Sequence, residues 1–236
     1  MSSIAPIKKS IFISRNLDEN SVFNKLLIDY NVDLIAESLI NIVQIPFSYT
    51  PKTDWIFFTS RNAIKHFFAQ NPDINDNVKF GVISHASAKE LNLYQKKADF
   101  IGEGTDLLKI AKNFRETLGI ASVLFPQAMD SMQTIQKQLA FSNTTYNLYT
   151  YKTIIRTDIN IPYTDLLIFT SPSNVTAYYN KYKHDSRQTI IAMGNSTKYR
   201  LSEFGIKQVL MPEEFSENGL YECVIRFYNN PSNAIV

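Results

Sequence analysis

The chain has 236 residues, of which 44% are apolar and 13% aromatic, and its formal net charge is only +2. That length suits one large domain or two small ones, and the charge gives no ground for a nucleic-acid partner. No window approaches about 18 uncharged apolar residues, so no membrane span is expected; the opening MSSIAPIKKS has no apolar h-region, and a cytoplasmic protein is the default.

Short apolar runs alternate with longer helical patterns. Ser10–Ser14 reads as a strand, and Val22, Leu26, Leu27 and Tyr30 fall at helical spacing. Asp33–Ile45 reads as one long, largely extended segment. Asp54–Phe58 is a strand, followed by a helix with Ile64, Phe67 and Phe68 on one face. Phe80–Ile83 (strand), Ser87–Tyr94 (helix), Asp99–Ile101 (strand) and Asp106–Leu118 (helix) follow. Ser122–Phe125 and Met132–Leu139 make the next strand and helix, and Asn147–Ile155 is again long and extended. Leu166–Phe169, Val175–Tyr182, Ile190–Met193, Lys198–Phe204, Gln208–Met211 and Gly219–Phe227 alternate as strands and helices to the end. Apolar strands in alternating βα units predict parallel sheets covered on both faces. Cys223 lies in an apolar helical pattern and reads as a core residue; a single cysteine allows no intramolecular bridge, and no Cys/His metal spacing exists.

The chain also repeats itself. DWIFFTSRNAIKHFF at 54–68 and DLLIFTSPSNVTAYY at 165–179 share Asp, Phe, Thr and Ser at a constant offset of 111, and apolar positions fall on apolar positions. Ser84–Ser87 aligns with Gly194–Thr197 at an offset of 110. Phe12-Ile13-Ser14-Arg15 and the strand after it resemble Leu124-Phe125-Pro126-Gln127 and the strand through Tyr151. The units come in a different order in the two copies. Insertion explains this: one lobe is split over 1–40 and 157–236, the other occupies 46–150, and extended crossings near 36–46 and 147–157 join them. Two similar lobes imply a cleft, which is where function is expected.

Thr59-Ser60 and Thr170-Ser171 each end a strand and open a helix, and Ser171-Pro172 is a strong helix start. Plain capping accounts for them. So does anion binding, because a helix start at the carboxyl end of a parallel strand presents free N–H groups suited to phosphate or carboxylate. Ser84, His85, Ser87, Gly194 and Thr197 sit at equivalent junctions and carry the same two readings. There is no GxGxxG and there are only seven glycines, so a nucleotide cofactor is not expected. Of three histidines, His66 lies inside a helix, His184 in a polar segment, and only His85 at a strand end. In YNLYTYKT, alternation puts Tyr149 and Tyr151 on one face. Aromatics favour strands anyway, yet a phenol that keeps its proton at neutral pH is also a candidate general acid.

These residues together resemble the uroporphyrinogen-III synthase family. The resemblance rests on the paired FTS motifs, the junction Gly194–Thr197, Leu124–Pro126, the Tyr-x-Thr at Tyr151–Thr153, and Arg15 after the first strand. It implies an α/β fold of two similar flavodoxin-like or Rossmann-like parallel-sheet lobes, joined by a two-stranded β linker, with one lobe discontinuous. It implies a lyase that cyclises hydroxymethylbilane, a linear tetrapyrrole with eight carboxylates, to uroporphyrinogen III with inversion of the last ring and loss of water. No metal or organic cofactor is implied. Charge and composition give no sign of an obligate oligomer, so a monomer is the default, and a transient handover of substrate from hydroxymethylbilane synthase is compatible with it. Tyr151 would assist loss of the hydroxyl. Arg15, Thr59, Ser60, Ser84, His85, Ser87, Gln127, Thr170, Ser171, Ser173, Gly194 and Thr197 would bind substrate. Two positions depart from the family pattern: Ser84-His85 stands where Gly-Asn is usual, and Gln127-Ala128 where a residue-glycine turn often carries arginine. Carboxylates would then be held in the inserted lobe by amides and hydroxyls more than by ion pairs. A non-catalytic two-lobed protein that binds or senses a small polyanion would keep the helix starts but needs no Tyr151. An unrelated flavodoxin-like interaction module would not explain the permuted repeat.

Overall fold

A computed structural model describes residues 9–30 and 32–229. The chain divides into two compact units, residues 1–41 with 155–236, and residues 42–154.

The first unit is built on a four-stranded sheet: β1 (Ser10–Ile13), β2 (Asp33–Ala36), β9 (Leu166–Phe169) and β10 (Thr189–Ala192), in the order β10-β9-β1-β2, all pairs parallel. Strand alternation sorts its side chains. Ile11, Ile13, Leu166 and Ile168 pack with α1 (Asn24–Asp29) and α8 (Glu217–Asn229). Phe12, Leu167 and Phe169 pack on the other face with α6 (Pro172–Tyr179) and α7 (Asn195–Glu203). Cys223 is buried among the first set, as the sequence indicates.

The second unit repeats this order and extends it at both edges: β3-β8-β7-β4-β5-β6. Its strands are β3 (Ile40–Gln44), β4 (Trp55–Phe58), β5 (Lys79–Val82), β6 (Phe100–Ile101), β7 (Val123–Ala128) and β8 (Thr145–Ile155). Trp55, Phe57 and Phe125 face α4 (Leu107–Leu118) and α5 (Thr134–Leu139). Ile56, Phe58 and Leu124 face α2 (Arg61–Phe68) and α3 (His85–Asn92). Fully buried Phe57, Phe58, Phe67, Phe114 and Phe125 make this an aromatic core, each ring worth roughly 1.5–3 kcal/mol of burial. Gly81 on β5 makes room for it, since a Cβ there would meet the Phe57 ring at 2.5 Å.

The aspartates of the repeat have a structural job. Asp165 accepts from the Ser10 amide (2.8 Å) and hydroxyl (2.9 Å), and Asp54 accepts the same pair from Ser122, both at 2.7 Å. Each clamps the start of the neighbouring strand, at the edge of the sheet opposite the helix starts. These hydrogen bonds, the backbone one first, hold the Asp54 carboxyl below the usual carboxylate range.

Three expected elements differ. Asp33–Ile45 is two strands, not one. The chain leaves the first sheet after Glu37, and the Ser38 and Leu39 amides turn to the side chains of Asn16 and Asn174 (3.0 and 2.8 Å) before β3 starts. Gln208–Met211 is reduced to one bridge, Leu210 against Ile191. Leu210 N–H donates to Ile190 and Ala192 N–H to Leu210, but the next donor would be Pro212, which has none. Its counterpart in the second unit, Gly102, does donate, to Val82 at 2.8 Å, and β6 forms there. Finally, Tyr149 and Tyr151 do not share a face. The register runs Gln127 against Tyr149 and then Ala128 against Tyr151. Thr150 is the extra residue of a β-bulge, which breaks the period of two.

Candidate active site

In the second unit Thr59-Ser60 follows β4, Ser84-His85 follows β5, and Tyr151 of β8 meets Ser60. The bulge aims Tyr151. Thr150 is fully buried, and the Met129 amide donates to the Tyr151 carbonyl at 2.9 Å, which fixes the backbone on either side. Tyr149 then points toward α5, where the Gln133 amide meets its hydroxyl at 3.4 Å, and stays 38% exposed. Tyr151 points toward α2 and is 8% exposed, packed among Phe58, Ala63 and Ile64. Its hydroxyl lies 3.0 Å from Ser60 Oγ, and the ring stacks on His66 with centroids 5.3 Å apart. Burial raises the phenol above its ordinary range; the Ser60 hydrogen bond works against this and the Asp130 carboxylate with it. Burial and the neighbouring Lys65 charge hold His66 below its ordinary value.

Ser60 caps α2 by accepting from the Ala63 amide at 3.1 Å. Ser84 caps α3 in the same way, through the Ser87 amide at 3.3 Å. His85, the first helical residue after it, is exposed. Ser87 is buried beneath that turn, so its hydroxyl completes the cap instead of facing outward. Thr59 has no hydrogen bond from its hydroxyl among the described residues. It lines an open hollow of about 190 Å³ together with Ile83, Leu107 and residues 131–136. Gln127 is turned inward: it is 1% exposed, donates to Asn147 (2.8 Å) and accepts from Gln136. Its neighbours use the side chain that the sequence suggests for substrate.

The first unit presents a second set. Ser171 caps α6, accepting from both the amide (3.3 Å) and the side chain (3.0 Å) of Asn174. Thr170 is tied to Ser14 through its amide (3.0 Å) and its hydroxyl (3.1 Å). Ser173 is half-buried and has no side-chain partner among the described residues. Gly194 opens α7 with no side-chain cap, and Thr197 is buried beneath it. Arg15 pairs with Glu217 at 2.9 Å. Larger hollows of about 420 Å³, beside Phe68 and Tyr94, and about 660 Å³, beside Arg187 and Lys207, bring together none of these residues.

Two residues of this region were passed over by sequence reasoning. His66 reads as an ordinary helical residue, and only the bulge places Tyr151 against it. Arg61, the first residue of α2, is exposed and has no ion-pair partner among the described residues. The signal for Arg61 was in the repeat itself: it stands opposite Pro172, and a search for shared letters skips the positions that differ.

The family model for uroporphyrinogen-III synthase HemD matches residues 21–222. The chain belongs to the uroporphyrinogen-III synthase family. The family's activity is that of a cyclising lyase of porphyrin and haem biosynthesis, acting on hydroxymethylbilane. The fold agrees. The crystal structure of uroporphyrinogen-III synthetase from Helicobacter pylori 26695 superposes with a TM-score of 0.70 at 18% identity, covering 93% of this chain and 99% of that one. A mutant uroporphyrinogen III synthase from the extremely thermophilic bacterium Thermus thermophilus gives 0.63 at 14% identity, covering 94% and 99%. Direct comparison with curated protein sequences finds no match. No helix among the described residues is long and apolar enough to cross a membrane.

Proposed function

We propose that this chain closes hydroxymethylbilane into uroporphyrinogen III with Tyr151 as the general acid. The observation that carries the assignment of Tyr151 is its placement: a buried phenol, held by a bulge at the carboxyl edge of a parallel sheet, hydrogen-bonded to the cap of a helix. The reaction begins when the substrate's terminal C–O bond breaks. The pyrrole nitrogen supplies the electron pair, the phenol supplies the proton, and water leaves. The azafulvene so formed is attacked by the last ring through its substituted position. The spiro intermediate fragments and recombines with that ring inverted, and the proton lost as the ring regains aromaticity returns to the phenolate.

The helix starts suit the carboxylates. Ser84, His85 and Thr59 in the second unit, and Ser171, Ser173 and bare Gly194 in the first, border N-terminal amides whose dipoles favour anions. In this reading Ser87, Thr170 and Thr197 support those turns from within, Gln127 ties β7 to β8 and α5, and Arg15 binds substrate by exchanging Glu217 for a carboxylate. Binding energy from distant carboxylates goes into holding the flexible chain near its closing geometry. We also propose that the chain acts as a cytoplasmic monomer and receives its substrate from hydroxymethylbilane synthase.

The test is Tyr151→Phe, assayed on preformed hydroxymethylbilane. General acid catalysis contributes roughly 10²–10⁴-fold, so kcat falls by about that factor while KM stays within a few-fold. Unchanged kcat removes Tyr151 from its role.

A further inference from the structure

The two copies of the Thr-Ser motif use their hydroxyls differently. In the first unit both are engaged internally: Thr170 with Ser14, and Ser171 with Asn174, whose own carbonyl oxygen takes the Leu39 amide at 2.8 Å. In the second unit the partners are missing. Pro126 stands where Ser14 would be and offers no hydroxyl to the Thr59 amide, the Thr59 hydroxyl has no partner among the described residues, and Ala63 stands where Asn174 would be. The cap serine that meets the Asn174 side chain in one unit meets the Tyr151 hydroxyl in the other.

A serine hydroxyl has one proton and two lone pairs. The Ala63 amide takes one lone pair of Ser60. If Tyr151 donated to the other, the Ser60 proton would have no acceptor among the described residues. Donation from Ser60 to Tyr151 satisfies the serine and leaves the phenol's own proton free. Resting on Tyr151 as the acid, we propose that Ser60 is a positioning residue for this reaction: it donates its hydroxyl proton to Tyr151 Oη, so that the phenol's proton is directed at the leaving hydroxyl, and it stabilises the phenolate that results. His66 covers one face of the ring and holds it in line. Ser60 is therefore withdrawn from the carboxylate sites, and the motif has divided into a closed structural copy and an open copy that serves the chemistry.

The experiment compares Ser60→Gly, Ser60→Thr and Tyr151→Phe. Glycine is tolerated at a helix N-cap but lacks the donor, and threonine keeps cap and donor. Three readouts are kcat and KM on preformed hydroxymethylbilane, thermal stability, and the titration of Tyr151 followed by NMR of 13Cζ-tyrosine, with Tyr151→Phe assigning the signal. The titratable groups that face the ring are His66 from α2 and Asp130 from the turn after β7. A hydrogen bond to a charged group is worth roughly 10- to 100-fold. Ser60→Gly is expected to lower kcat by that range at nearly constant KM and to move the Tyr151 titration upward; Ser60→Thr recovers both. On a Tyr151→Phe background, Ser60→Gly adds no further loss. A further loss there means that Ser60 meets substrate itself and overturns the proposal. Wild-type kcat in Ser60→Gly beside an impaired Tyr151→Phe overturns it too, but leaves Tyr151 as the acid. Wild-type kcat in Tyr151→Phe removes the reading beneath it.

Discussion

Buried phenols set the alkaline pH response of this chain. Tyr151, Tyr178, Tyr179 and Tyr228 all have their ionisation pushed up by burial, Tyr228 to about 12 with the Asp165 carboxylate adding to the effect. In the unfolded chain each titrates near its ordinary value of about 10. The folded state prefers the neutral form, so the stability these groups contribute is complete below about pH 10 and is lost as pH rises through the folded values. The urea midpoint is expected to be flat from about pH 7 to 9 and to fall from about pH 10 upward; a midpoint that holds through pH 11 contradicts this. At this scale the sequence was only partly legible. Tyr151 stood out because the family pattern names it, but its orientation follows from the bulge at Thr150, and alternation alone put Tyr149 beside it. Buried Gln127 looked available for the same reason: a residue at a strand end is visible in sequence, whereas the partners that turn it inward, Asn147 and Gln136, come from β8 and α5.

At the scale of elements, apolar runs and capping residues located nearly every strand and helix, because β1, β4, β5, β7, β9 and β10 are largely buried and α2, α3, α4 and α6 start on a capping side chain. What escaped were endings set by one backbone donor. Pro212 stops a strand that Gly102 allows, and Asn174 helps turn the chain between β2 and β3. The Asn174 side chain is 3% exposed and joins the Ser171 hydroxyl to the Leu39 amide. Replacing it by alanine leaves the Leu39 amide without its partner, at a cost of about 1–3 kcal/mol for an unsatisfied group. Asn174→Ala should therefore lower the urea midpoint at unchanged m-value. An unaltered midpoint would show that the asparagine is dispensable to the fold.

At the scale of the whole molecule, two units share the strand order that runs β10-β9-β1-β2 in one and β5-β4-β7-β8 in the other. The repeated motif was legible because both units need the same helix start after the same buried strand. Its division of labour was not, since that depends on Pro126 and Ala63, residues that matter only for the hydroxyl and amide they lack. The family's reaction inverts one ring, and the product isomer reports that inversion directly. The decisive measurement feeds porphobilinogen and hydroxymethylbilane synthase to the purified chain, oxidises the product and separates the uroporphyrin isomers. Uroporphyrin III is the expected product; isomer I alone would rule out the synthase reading.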